Sequence, residues 1–148
     1  MRRASGPPRA ARGFTLIEIL IVVTVIGILM GIALPGLLTA LDKSKQVSTL
    51  TLIRAFGEAL EVYQSDNHFY PNATTIQALT PLLRPYSDTL RPMDQWKHDL
   101  SYVTDTTHYT VESFGKDGID GAEVTPQTRY TFELDILLSD GTWMSSVE

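Results

Sequence analysis

Apolar and polar positions change rhythm three times along this chain. From Ile19 to Leu41 there are 23 residues without a charge. At about 1.5 Å per residue that run makes about 35 Å of helix, enough to cross a bilayer. It is too long for the apolar stretch of a removable secretory signal, typically about 7–15 residues. Ala33-Leu34-Pro35 is also a poor small-x-small cleavage site. Gly27 and Gly31 are four apart and permit close approach of a second helix. Pro35 lacks an amide hydrogen, so a kink or local unwinding is expected there.

From Asp42 to about Asp66 the rhythm becomes that of an amphipathic helix. Val47, Leu50, Ile53, Phe56 or Gly57, Leu60 and Tyr63 recur at three- and four-residue spacing. Lys43, Lys45, Arg54, Glu58 and Glu61 take the other side, with Arg54 and Glu58 one turn apart. The two segments read as one long helix that ends at Asp66-Asn67. Pro71 disfavours helix at Tyr70, so residues 68–72 are a connector. Thr75 to Leu83 forms a short helix with Ile76, Leu79, Leu82 and Leu83 on one side, and Pro85 closes it. Trp96, in the loop that follows, is expected to plug the core.

The third rhythm is alternation. Leu100 to Thr104 and His108 to Ser113 flank Asp105-Thr106-Thr107 as a hairpin. A Gly- and Asp-rich loop runs from Gly115 to Gly121 and on through Pro126. Tyr130, Phe132, Leu134 and Ile136 then alternate with Thr131, Glu133 and Asp135, which predicts a strand with those acids on its polar face. Ser139-Asp140-Gly141 turns into a last strand at Thr142 to Val147. The expected fold class is α+β, a long helix packed on a small antiparallel sheet. Its organisation is a leader over 1–13, a helix over 14–66 that is apolar over 14–41, and a head over 67–148.

Charge sharpens this picture. The chain of 148 residues carries a net −5, but Arg2, Arg3, Arg9 and Arg12 stand in the first 13 with no acid among them. The rest is therefore −9. A basic start before an apolar run orients the N-terminus to the cytoplasm and the remainder outward. An acidic head argues against nucleic acid as a partner. Arg2-Arg3 gives a twin-arginine signal little support, given the Ala-Ser-Gly-Pro-Pro that follows. With no cysteine there is no disulfide and no thiolate metal site. A head of roughly 80 residues is small enough to call for another staple. Neither Gly-x-Ser-x-Gly nor a phosphate-cradling glycine loop occurs. His68, His98 and His108 fall on three different elements, so no enzyme is expected.

One carboxylate stands in the apolar region, Glu18 within Gly13-Phe14-Thr15-Leu16-Ile17-Glu18. A charge near a membrane span is costly and marks function. This stretch resembles the start of type IV pilin-like precursors, with a basic leader ending in Gly13, Phe14 after it and Glu18 fifth from the junction. Pro35, residue 22 counted from Phe14, fits the same pattern. The resemblance implies cleavage between Gly13 and Phe14 by a prepilin peptidase, N-methylation of Phe14, and assembly into a helical filament. Glu18 lies one turn from the new amine, near the positive end of the helix. In a filament it is expected to pair with the amine of a neighbouring copy.

The head narrows the resemblance. Tyr63, Asp66-Asn67 and Tyr70-Pro71, then Pro92, Asp94 and Trp96, then Ser113-Phe114-Gly115-Lys116-Asp117-Gly118 are similar, in that order, to the major (G-type) pseudopilin of type II secretion. That family implies minor pseudopilins and an inner-membrane assembly platform as partners. It also implies a calcium ion, for which the matching acids are Asp117 and Asp135, with Glu133 on the same predicted strand and Asp120 nearby. Calcium takes six to eight oxygens, which suits a loop pinned to a strand. Thr128 stands where an EF-hand begun at Asp117 would need its Glu. The residues from Ile136 to Glu148 depart from the usual G-type ending. The sequence leaves two other readings open. One is a type IV pilin for adhesion, motility or DNA uptake; the other is a monomeric single-pass protein with a periplasmic binding head.

Overall fold

The protein is described by a computed structural model covering residues 13–121, 132 and 134–145. The leader over 1–12, Glu133, and the first two residues of the strand expected over 130–136 lie outside the described residues. Two compact units emerge, one ending at Thr39 and one beginning at Ala40.

A single helix, α1 (Leu16–Asn67), crosses both units. Its first half is exposed throughout, with Leu16 93 % exposed and Ile32 76 % exposed. None of its most apolar 18-residue window is buried. The unwinding expected at Pro35 does not occur, because helix continues unbroken through it. The ring crowds only the carbonyl four residues back, which belongs to Gly31, and Thr39 Oγ1 donates to the Pro35 carbonyl at 3.1 Å.

The second half of α1 forms one wall of the core. Ile53, Phe56 and Leu60 are fully buried, each contributing about 1.5–3 kcal/mol by removal of apolar surface. The buried stripe is rotated from the one the periodicity predicts. Val47 is 54 % exposed, while Gln46 and Thr49 are buried. Thr49 is admitted because its hydroxyl accepts the Gln95 amide at 3.3 Å. The Arg54 guanidinium stands over the Trp143 ring, 5.8 Å from the centroid.

Helix α2 (Ile76–Leu83) starts at Thr75, whose hydroxyl accepts the Ala78 amide at 3.2 Å, and buries Ile76, Leu79 and Leu83. The sheet is an antiparallel meander of β1 (Ser101–Thr104), β2 (Tyr109–Ser113), β3 (Ile136–Ser139) and β4 (Thr142–Ser145), in that order. Tyr109 and Val111 face inward. Two expectations are corrected. Of the strand predicted over 130–136, the described residues Phe132, Leu134 and Asp135 stand outside the ladder, and β3 begins at Ile136, paired with Ser113. Leu134 and Asp135 are buried side by side, so strict alternation fails before the ladder starts. Trp96 is only half-buried and lies outside the hydrophobic cluster.

Candidate functional site

Three of the residues expected to serve processing and assembly, Gly13, Phe14 and Glu18, lie at the start of α1. Gly13 has open space around its Cα, and Phe14 is 81 % exposed. Thr15 caps the helix. Its hydroxyl accepts the Glu18 amide at 3.3 Å, while Glu18 Oε2 accepts from the Thr15 amide at 2.9 Å and the Thr15 hydroxyl at 3.0 Å. This reciprocal arrangement is a capping box, typically worth about 1 kcal/mol to a helix start. Thr-x-x-Glu before an apolar run is the sequence signature of such a box, and Thr15 and Glu18 carry it here. The carboxylate therefore already has a local task before any neighbour is present.

The acidic loop lies in the head. Asp94 anchors it from below: buried, its Oδ1 accepts the Trp96 and His98 amides, both at 2.9 Å, and its Oδ2 accepts the Ser113 hydroxyl at 2.8 Å. His98 Nδ1 lies 3.0 Å from the Gly115 carbonyl. A carbonyl only accepts, so this nitrogen carries the proton. Gly118 has φ +68° and lies against the His98 ring, which a Cβ there would meet at 3.0 Å. Both conditions favour glycine.

Of the acids the sequence points to, Asp120 and Asp135 come together, and Glu112 of β2 joins them. One carboxylate oxygen from each lies within 4.8 Å of the others. Asp135 is buried and accepts the Gly121 amide at 3.0 Å; Glu112 is half-buried and Asp120 exposed. Burial pushes the Glu112 carboxyl above its ordinary value, and the charges of Asp135 and then Asp120 push the same way. Asp117 is not one of the three. It is exposed and its Oδ1 accepts the Ile119 amide at 3.1 Å, closing a local turn. Glu133 is outside the described residues. Glu112 was missed because it alternates normally within a strand, and only the β2–β3 pairing brings it beside Asp135. Three crowded carboxylates form an all-oxygen donor set of the kind a hard divalent cation takes, with backbone carbonyls and water to complete it.

Comparison with known proteins closes the identification. The family model for the prokaryotic N-terminal methylation motif matches residues 8–34. The model for type II secretion system (T2SS), protein G matches residues 36–128. A type II secretion system core protein G of Vibrio cholerae serotype O1 is 35 % identical over 131 residues, covering 79 % of this chain and 88 % of its own. That of Klebsiella michiganensis is 33 % identical over 138 residues, covering 83 % and 92 %. That of Escherichia coli K12 is 35 % identical over 127 residues, covering 76 % and 86 %. No solved structure matched the chain. With a methylation-type start, an exposed apolar helix and a head matched through its acidic loop, the chain belongs to the type II secretion system protein G family.

Proposed function

We propose that this chain is a pseudopilin subunit of a type II secretion system, cut between Gly13 and Phe14, methylated on the Phe14 amine and polymerised through α1. The observation that carries this reading is the exposed apolar half of α1 in a chain of this family. That much bare apolar surface needs lipid before assembly and neighbouring helices after it. Before assembly the subunit spans the inner membrane with its head in the periplasm. Afterwards it belongs to a periplasmic filament that helps folded proteins across the outer membrane, together with minor pseudopilins and the assembly platform. Glu18, freed from its local cap, pairs with the Phe14 amine of the next copy, and the pairing sets register.

Calcium in the head completes the proposal. Glu112, Asp120 and Asp135 would hold it, and its charge would relieve their mutual repulsion, supplying the staple that a cysteine-free head lacks.

Gly13→Leu tests the processing step. Mass spectrometry of the membrane fraction should find the chain uncut, with filaments and protein export lost. The same uncut mass in wild type and variant, with no filaments from either, would return the chain to a monomeric anchored protein. For calcium, titration calorimetry on the full chain in detergent should show binding heat and a raised melting temperature. No heat and an unchanged melting temperature would sink the cation reading.

A further inference from the structure

The loop over 114–121 is fastened from outside by a contact that neither the helix start nor the carboxylate cluster uses. Lys116 Nζ donates to Asp42 Oδ2 at 2.7 Å, joining positions 74 apart in the chain. Asp42 is the first charged residue after the apolar run, and its side chain is only 16 % exposed. The hydrogen bond from Lys116 is the largest influence holding the Asp42 carboxyl below its ordinary value, and the Lys45 charge adds to it. Trp96 is placed by Asp94, which also holds Ser113 of β2.

The rest of the loop leaves little slack between this contact and the carboxylate cluster. Gly115 is held through its carbonyl by His98 at 3.0 Å, and the Lys116 amide donates to the Phe132 carbonyl at 2.8 Å. The Gly118 amide donates to Phe114 at 3.1 Å, and the Gly121 amide to Asp135 at 3.0 Å. Lys116 and Asp120, four residues apart, thus stand at two ends of one hydrogen-bonded bridge. One end reaches α1 where it leaves the apolar run, and the other reaches Glu112 and Asp135.

We propose that Lys116 is a positioning residue that straps the acidic loop to α1 at Asp42, so that the state of the carboxylate cluster and the state of the helix around Asp42 bias each other. An ion pair whose lysine is half in solvent adds little to overall stability. Its effect here is on register, because it joins a loop to the element through which copies assemble. Coupling of this kind is reciprocal by thermodynamic necessity. The strap itself stands on the geometry; its link to cation binding rests on the calcium reading above.

Amide hydrogen exchange on the full chain in detergent micelles tests both parts separately. Lys116→Met should speed exchange about 3- to 5-fold, the scale of one exposed charge pair, in residues 41–46 as well as in 115–121. Asp42→Asn should reproduce that pattern, and Lys116→Arg should restore protection in both segments. Changes confined to the segment that carries the substitution would overturn the strap. Calcium chloride is then added to each protein. Protection that spreads from 112–121 to 41–46 in the wild type, and stops short of 41–46 in Lys116→Met, supports the coupling. Equal protection of 112–121 in both proteins, never reaching 41–46, overturns the coupling and leaves the cation reading intact. No response to calcium, with the reciprocal effect of the two substitutions retained, removes the cation reading and keeps the strap.

Discussion

Gly57 is where α1 and the sheet make a close approach that no side chain permits. A Cβ there would lie 2.7 Å from Leu138 Cδ2 and 3.2 Å from the Tyr109 hydroxyl. The Leu138 methyl has some freedom, but the Tyr109 oxygen is fixed by the Gly141 amide at 3.0 Å. A side chain at 57 must therefore push the two layers apart. Gly57→Val is expected to destabilise the head by about 1–3 kcal/mol, read as a lower denaturant midpoint at unchanged slope. An unaltered midpoint would mean that the helix shifts freely over the sheet. Asp94 acts at the same scale through polar atoms. Asp94→Ala leaves two amides and the Ser113 hydroxyl without their acceptor beside the buried end of β2. A loss of roughly 2–4 kcal/mol is expected from such uncompensated donors, measured by the same unfolding experiment.

Between elements, the two hairpin turns of the sheet are latched together. Asp140 and Gly141 both have positive φ, +48° and +72°, the condition for a two-residue turn that follows the twist of β3 and β4. Asp140 Oδ1 accepts the Tyr109 amide at 2.9 Å, and Oδ2 meets His108 Nδ1 at 2.8 Å. Asp105 Oδ1 holds the β1–β2 turn, accepting the Thr107 and His108 amides at 2.9 and 2.6 Å. The hydrogen bond to Asp140, then its charge and that of Asp105, raise the His108 pKa above 6.5. A raised value in the folded state means the latch contributes fully below the unfolded histidine's pKa and is lost as pH rises through the folded one. The melting temperature should therefore fall as pH rises from 6.5 through the raised folded value, and His108→Gln should flatten that fall. An identical slope in the variant would remove His108 from the account. Asp105 works in the opposite sense: its pKa is lowered from 3.8, by the Thr107 hydroxyl first and then by the His108 and Thr107 amides. Its contribution is present above 3.8 and lost as acid brings the pH down through the lowered value.

For the molecule as a whole, the division at Thr39 and Ala40 carries the prediction. Core side chains from Leu52 to Leu138 all belong to the second unit, and none of the apolar window of α1 is buried. Deleting residues 1–39 should give a chain that stays in solution without detergent. It should unfold cooperatively within about 3 °C of the full chain, measured by scanning calorimetry. A truncated chain that melts without cooperativity would show that the first half of α1 is needed for the fold. The same separation of tasks suits a subunit whose helix must change surroundings while its head stays intact.

What the sequence determined by itself is local. A 23-residue apolar run without a charge predicts a helix of membrane length from neighbours alone, and Gly13-Phe14 with Glu18 is read from linear order. Thr75, the Asp105 turn and Asp140-Gly141 are also legible, since capping and turn chemistry need only neighbouring residues. Tertiary structure decided what depends on pairing across distance. The buried stripe of α1 rotated away from Val47 because Gln95 offered Thr49 a partner. β3 begins at Ile136 because Ser113 is there to meet it, and only that register sets Glu112 beside Asp120 and Asp135. Asp117, to which the family resemblance points, closes a local turn and is not among those three. A carboxylate's neighbours along the chain fix its turn, whereas its neighbours across the sheet fix its charge environment, and the second set is invisible until the strands are paired.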